Sequence, residues 1–432
     1  MIKSKLEKNN PKLMNAWAMY DWSNSVYNLV ITSTIFPIYY LIVTGGEGSE
    51  VTFLGITLKN TTFYDFIIAF AYLLIVFIAP ILSGIADYGG YKKRFMQMFT
   101  YIGAISCSML YFFDKDHLYI GIIFSILACI GYSGSLVFYN SFLPEIATPD
   151  KQDKLSAKGF ALGYLGSALL LILNLYLIMS VPEDQGAKKM EIMQNAFLMV
   201  GAWWIIFSQI TFYHLPTNVY SKKPEGNKFS KGFLELKKVF LDLNNTPNLK
   251  RFLFAFFIYN MGVQTIMLIA NHFGSEEINM ESGQLITTIL IIQFVAIGGA
   301  FLFSFLSRKW GNLFTLRLAT VIWGLVCIGT YLFVYTPEHF YVIAAVVGLI
   351  MGGIQALSRS TYSKMLPETT DHASYFSFYD ICEKISIVLG MILFGIINEM
   401  SSGMRTPILV LISFFIIGFL LLLRVKKHNN VE

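Results

Sequence analysis

Twelve apolar runs of membrane-spanning length constrain this chain more than any other feature. They cover about residues 16–43, 64–86, 95–113, 118–143, 158–181, 194–214, 251–273, 283–306, 314–335, 339–366, 374–398 and 405–424. About 20 mostly apolar residues cross the hydrocarbon core as a helix. The helix satisfies its own backbone there, where no water can. A soluble domain carries about 25% charged residues, whereas this chain carries 14% and is 55% hydrophobic. The expectation is an all-α membrane protein with twelve transmembrane helices. The basic start MIKSKLEKNNPK has the outline of a signal peptide, but the run that follows is too long and too polar in its middle. It reads as a retained first span.

An even number of spans puts both termini on one side. The loops and tails of that side carry 24 Lys and Arg residues, against five on the other. The positive-inside rule makes that side cytoplasmic. It also accounts for the net charge of +5 without any nucleic-acid partner. The four cysteines and six histidines are scattered without metal-ligand spacing, so no disulfide framework, metal or cofactor is expected. There is no phosphate-binding G-x-x-x-x-G-K-[ST] loop, which argues against an ATP-driven pump. An embedded enzyme needs acid, base or metal groups clustered in interfacial loops, and none is visible. The expectation is therefore not an enzyme, although a transferase on a lipid-linked substrate or a lipid scramblase remains the alternative on such a scaffold.

The longest connection divides the chain into a six-helix half at 1–214, a cytoplasmic linker at 215–250 and a second half at 251–432. Within the linker, Phe233, Leu236, Phe240 and Leu243 recur at helical spacing. They predict an amphipathic helix, either on the membrane surface or packed on the two halves. The halves also repeat. At an offset of 223, Ser135, Tyr139, Leu143, Pro144 and Glu145 match Ser358, Tyr362, Leu366, Pro367 and Glu368. Tyr20-Asp21 matches Tyr259-Asn260 at a slightly different offset. Two pseudo-symmetric halves with a site between them are how a rocking transporter is built.

Polar residues inside the spans mark the candidate route, because each is costly in lipid, by roughly 3 kcal/mol for a carboxylate. In the first span Asp21, Asn24 and Asn28 fall at i, i+3 and i+7 and share one helical face. Asn260, Gln264, Gln355 and Lys384 join them as candidate pathway residues. At 1.5 Å per residue, Asp21 lies about 6–9 Å inside the cytoplasmic edge, with Arg359 and Asp380 at about 10 Å by the same rise. Arg359 can pair with Asp380 or reach Asp21 across the cavity, as a static pair or as a gate. Asp380 and Lys384 can pair at i, i+4. That leaves Glu383 without an evident local partner, so Glu383 and Asp21 lead as proton-coupling groups. Trp17, Trp22, Tyr39 and Tyr40 read as interfacial anchors. Gly159, Gly163 and Gly166 read as close packing where the halves meet.

After the second span, GIADYGGYKKRFM places Asp87, Gly90, Lys92, Lys93 and Arg94 in a tight basic turn. The glycines permit the turn, and the basic triplet suits headgroups. This stretch resembles the loop between helices 2 and 3 of the major facilitator superfamily. The resemblance implies that Asp87 locks the cytoplasmic side by meeting the start of the eleventh span near Ser374. The second-half counterpart, FSFLSRKWGN, has no Asp, so the lock is expected mainly in the first half. YDWSNSVY, YNSFLPEIA, GFALGYLGS, GGIQALSRSTYSKMLPE and FYDICEK together resemble one branch of that superfamily. It contains the autophagy-related vacuolar amino acid effluxers and their bacterial relatives. This resemblance implies the major facilitator fold and alternating-access transport of a small polar solute, with amino acids the class that family suggests. The expected partners are that solute, protons or another coupling ion, and the lipid bilayer. The compact chain suits a monomer in a bacterial plasma membrane.

Overall fold

The computed structural model describes residues 6–46, 48–53, 55–182, 184–220, 222, 228–400 and 404–426, without the side chains of 228–231, 271, 398 and 399. Four of the lysines used for orientation, Lys3, Lys5, Lys223 and Lys427, lie outside the described residues. The first half comprises α1 (Pro11–Val26), α2 (Ile35–Val43), α3 (Asn60–Gly89), α4 (Lys92–Met109), α5 (Leu118–Ser141), the short α6 (Leu143–Ile146), α7 (Pro149–Met179) and α8 (Gly186–His214). After α9 (Lys228–Asn245) come α10 (Pro247–His272), α11 (Ser282–Trp310), α12 (Asn312–Phe333), α13 (Pro337–Met365), α14 (His372–Glu399) and α15 (Arg405–Leu423).

Among the described residues, eleven helical stretches are long and apolar enough to cross a membrane, with α1 and α2 forming one of them. The remaining expected span is α14, a helix of 28 residues that carries Asp380, Glu383 and Lys384 in its middle. Several helices begin earlier than their apolar runs, as α7 at Pro149 rather than 158. Their first turns are charged, and apolarity marks only the lipid-length part of a helix. An antiparallel hairpin, Glu50–Phe53 with Ile56–Lys59, was not expected from the sequence.

The first span is not one continuous α-helix. Asn10 caps α1 by accepting from Lys12 N and Leu13 N, and Pro11 occupies the first turn. A π-helical stretch, Tyr27–Thr32, then separates α1 from α2. The break frees backbone carbonyls, and hydroxyls satisfy them. Ser33 Oγ donates to Asn28 O at 2.9 Å, and Thr34 Oγ1 donates to Leu29 O at 2.6 Å. Breaks of this kind gather at functional positions, and this one faces the central cavity.

Contacts place both described chain ends at one end of the bundle. Asn9 N donates to Ile146 O at 2.8 Å, and Lys426 N donates to Asn248 Oδ1 at 2.8 Å. Each half has its own apolar core, around Phe197 and Trp204 in the first and around Trp323 and Phe415 in the second. The expected interfacial aromatics are mostly core residues. Trp17 is fully buried and stacks on Tyr139 at 4.4 Å. Tyr39 and Tyr40 are buried, with their hydroxyls on Phe113 O and Asn60 O. Trp22 stacks on Trp203 at 5.4 Å. The indole of Trp17 and the hydroxyls of Tyr39 and Tyr40 find partners inside the fold, which removes their need for an interface, whereas Trp22 Nε1 is buried without one among the described residues.

The linker helix α9 packs along α3 and touches α14 and α10. The expected apolar face divides between packed and exposed residues. Val239 and Leu243 are buried, whereas Phe233 and Phe240 are exposed beside Leu234 and Leu241. Gly232 approaches Gly84 so closely that a Cβ on either would meet the other helix's backbone. Asp371, just before α14, ties α9 down through Lys238 at 3.4 Å and Lys222 at 3.2 Å. Burial alone opposes the Asp371 carboxylate. A hydrogen bond with Glu235 and the two lysines outweigh it and hold its pKa below the ordinary range.

Candidate functional site

A cavity of about 230 Å³ lies between the halves. Helices α1, α3, α5 and α7 line it from one side and α10, α11, α13 and α14 from the other. Of the sequence-derived candidates, Asp21, Asn28, Asn260, Gln264, Gln355, Arg359, Glu383 and Lys384 line it. Asn24 does not, and its assignment to the pathway is corrected. It is buried, with Nδ2 lacking a hydrogen-bond partner. The cavity face of the first span runs Asp21, Ser25, Asn28 and Thr32. This i, i+4, i+7, i+11 stripe turns Asn24 into the first half and brings in Ser25. Asp380 also stays behind the lining, buried against Lys384.

Asp21 and Arg359 close the cavity at the end where the termini lie. Arg359 Nη1 and Nη2 each donate to Asp21 Oδ2 at 3.1 Å, and Tyr139 Oη donates to the same oxygen at 2.8 Å. The remaining Arg359 donors go to Ser156 Oγ at 2.9 Å, Ser156 O at 2.9 Å and Asn140 Oδ1 at 3.3 Å. All five guanidinium N–H groups are thereby used. The guanidinium also sits 4.2 Å from the Phe160 ring and 4.9 Å from Trp17. The Arg359–Asp380 pairing open to the sequence is not formed. Arg359 instead joins α13 of one half to α1, α5 and α7 of the other. In the opposite direction Asn28, Ser33 and Leu268 are exposed, so the cavity opens away from the termini.

Below this layer, two further contacts join the halves at the same end, beside a Glu145–His372 bridge. Asp87 Oδ2 accepts from Ser374 N at 2.7 Å and Oδ1 from Ala373 N at 3.2 Å. A carboxylate on the first turn of α14 is favoured by its free N–H groups and dipole. Gly90, in the left-handed region at φ 70°, makes the turn that ends α3. Of the basic triplet only Arg94 is exposed, against the Tyr91 ring. Lys92 is corrected from headgroup anchor to buried partner of Glu145, which also meets His372 Nδ1 at 2.9 Å. Lys93 Nζ donates to Leu215 O at 2.8 Å.

The second contact was missed by sequence reasoning. Asp153 on α7 accepts from Lys364 Nζ at 2.7 Å, Asn312 Nδ2 at 2.8 Å and Ser307 Oγ at 3.1 Å. Its pseudo-symmetric partner is the Asp87 contact, with the acid moved from the end of one helix to the start of the facing one. The lock expected mainly at Asp87 thus has a counterpart at the α7–α11 crossing. The signal lay in PDKQDK, whose charges were absorbed into the topology argument.

The glycine stripe is also re-assigned. Gly163 and Gly166 abut Ser25 and Trp22 of α1, so they pack two helices of one half. Gly159 faces Asp21 and Arg359, where any Cβ would press on the carboxylate. Farther up the cavity, Tyr164 Oη donates to Gln355 Oε1 at 2.5 Å, and Asn260 Nδ2 donates to Ser386 Oγ at 2.7 Å. Glu383, expected to lack a partner, lies 3.4 Å from Lys384 Nζ, which is 3.5 Å from Asp380.

Two helical bundles that share a polar cavity, shut at one end, define a membrane transporter of the major facilitator superfamily. A major facilitator transporter, FucP, in the outward conformation superimposes with a TM-score of 0.71 at 13% identity, covering 97% of this chain and 99% of that one. The chain belongs to the Atg22-like vacuole effluxer family, whose sequence profile matches residues 9–432. It is 30% identical to the uncharacterised MFS-type transporter YxiO of Bacillus subtilis, over 98% of this chain and 96% of the relative. Autophagy-related protein 22 of Saccharomyces cerevisiae is 25% identical over 99% and 92% of the two chains.

Proposed function

We propose that the protein is a twelve-span secondary transporter that moves a small polar solute by alternating access and is coupled to protons. Its domains are the halves 1–214 and 251–432, joined by the linker 215–250. Both termini are cytoplasmic, and the membrane is the bacterial plasma membrane, where the protein acts as a monomer. The charge asymmetry of the loops supports that orientation, and near-equal length with the Bacillus relative supports that membrane. Amino acids are the first class to test, because the sequence resemblance suggests them and the lining amides Asn28, Asn260, Gln264 and Gln355 suit a solute rich in donors and acceptors.

The observation that carries the reading is the Asp21–Arg359 pair, drawn from different halves and closing one end of a cavity open at the other. In the proposed orientation this is an outward-open state. Opening inward requires Arg359 to leave Asp21, Asp87 to leave Ser374, Asp153 to leave Lys364 and Glu145 to leave His372. The four contacts act as a gate in series, and Asp21 and Glu383 are the carboxylates placed to exchange protons during the cycle. The test is reconstitution into proteoliposomes with an imposed pH gradient. A solute chosen by thermal-shift screening, since ligands raise the apparent stability of the state they bind, should accumulate in step with a proton flux. A panel of amino acids, peptides, sugars and nucleosides that neither stabilises the protein nor drives a proton flux overturns the reading.

A further inference from the structure

The fixed charges of the cavity do not cancel. Arg359 and Asp21 neutralise each other, and every Arg359 donor is already used. The other cation, Lys384, stands between two carboxylates, 3.5 Å from Asp380 and 3.4 Å from Glu383. Both distances exceed the 2.7–2.9 Å of a strong charged hydrogen bond, as expected when one ammonium is divided between two acceptors. Asp380 Oδ2 is buried with no hydrogen-bond partner among the described residues. The titratable groups facing Glu383 from neighbouring elements are Tyr72 on α3, Tyr132 on α5 and Tyr379 on its own helix, with Cys129 of α5 near Lys384. All are neutral in their ordinary forms, and α10 adds the phenol of Tyr259 and the amides Asn260 and Gln264. With both carboxylates ionised, the α14 cluster carries one uncompensated negative charge inside the bundle, a costly arrangement that draws in a counter-charge.

Exposure decides where that charge is met. The side chains of Lys384 and Asp380 are 3% and 6% exposed, whereas Glu383 is 25% exposed and lines the cavity. Around it stand Tyr72, Tyr132, Phe256 and Tyr379, with Phe256 stacked on Tyr379 at 4.3 Å. Aromatic faces attract organic ammonium groups. A solute's anionic group finds no free guanidinium donor in this state.

We propose that Glu383 is a single-occupancy cation site, held alternately by a proton and by the ammonium group of an organic amine solute. This rests on the transporter reading and makes the exchange one proton for one amine. Asp380 and Lys384 are positioning residues. They keep the cluster one charge short and leave Glu383 as the exchangeable carboxylate.

The test uses dicyclohexylcarbodiimide, which modifies protonated carboxyl groups in apolar surroundings, on the purified full chain, with the site read by peptide mass spectrometry. Modification of Glu383 should fall as pH rises. Leucinamide, a cation, should protect it at least fivefold at fixed pH. The neutral 4-methylpentanamide and the anionic 4-methylpentanoate, of matched skeleton, should not. Sodium at equal concentration should not protect either, since aromatic walls favour the organic cation. Equal protection by all three organic probes, by sodium, or by none of them overturns the proposal. So does leucinamide binding, followed by thermal shift, that survives in Glu383→Gln. Glu383→Asp, which retains the charge, checks that any loss is not misfolding. Protection by leucinamide without proton-coupled flux in proteoliposomes keeps the site and removes the transporter reading. Flux of leucinamide without protection keeps transport and removes the site.

Discussion

Replacing Asp21 by Asn removes the charge from the innermost inter-half contact while keeping its shape. In the closed layer, Asp21 Oδ2 accepts two guanidinium hydrogens and one phenol hydrogen. The amide retains an acceptor for Tyr139, so little is lost there. Arg359, 3% exposed, then sits buried without its anion. Removing one member of a buried pair costs about 3–5 kcal/mol. The rings of Phe160 and Trp17 keep part of the cation's stabilisation, which sets the loss near the lower figure, about 3 kcal/mol. That cost falls on the state with the pair joined, because a separated Arg359 regains water. At 1.4 kcal/mol per factor of ten, the balance between cavity orientations moves by roughly a hundredfold towards opening at the terminus-bearing end. The assay is the labelling rate of Asn28→Cys by a membrane-impermeant maleimide in right-side-out vesicles, in a background lacking the four native cysteines. Asp21→Asn should slow it by at least tenfold. Arg359→Gln should act likewise, and the double variant should recover much of the loss, because two neutral partners leave no orphan charge. An unchanged rate in correctly folded Asp21→Asn refutes the gate.

Gly159→Ala should act in the same direction with no change of charge, since its Cβ meets the Asp21 carboxylate. An overpacking cost of about 1–3 kcal/mol is expected, read by the same labelling assay. Asp153→Asn strands the buried Lys364 and should lower stability by about 3 kcal/mol in a thermal melt, with much of the loss recovered by adding Lys364→Met. Asp87→Asn removes only the charge at the α14 N-terminus, worth about 1 kcal/mol, and should raise the solute exchange rate more than it lowers the melting temperature. Asp371 has its pKa depressed on folding, so its stabilising effect is full above the ordinary carboxylate range and is lost as pH falls through the lowered value. Amide exchange in α9 should therefore stay slow down to pH 5 in the native chain and quicken in Asp371→Asn at pH 7.

The spans were legible because apolar length is a strong signal, and the cavity face was nearly so. What periodicity could not decide was phase. A stripe at i, i+3, i+7 and one at i, i+4, i+7 share two members, and only packing against α7 and α8 settled that Asn24 turns inward. The partner of Arg359 was equally undetermined. Depth brought Asp21 and Asp380 to the same level, but the choice between them depended on which helices of the two halves cross. Asp371 and Asp153 sat in charged loops whose composition already had an explanation in membrane orientation. Their partners, 133 and 211 residues away in sequence, leave no local trace.

The repeat explains why the gate is one-sided. At the offset of 223 the counterpart of Arg359 is Leu136, and at the offset of the first spans, 239, the counterpart of Asp21 is Asn260. Symmetry therefore places an α5–α10 crossing opposite the α1–α13 crossing, with Leu136 and Asn260 where the ion pair stands. Asn260 turns to Ser386 within its own half, and Leu136 stays in the lining. A charge pair at both crossings would bury four charges at one level of the bundle, each with a desolvation cost of several kcal/mol. With one pair, Arg359 supplies a fixed closure. The remaining charge of the cavity, the short-changed cluster on α14, lies in the same half as Arg359 and faces the solute. Rocking the halves apart parts Arg359 from Asp21, a pair that is electrically complete, whereas the α14 cluster is not complete, and only the cluster has a reason to bind something new.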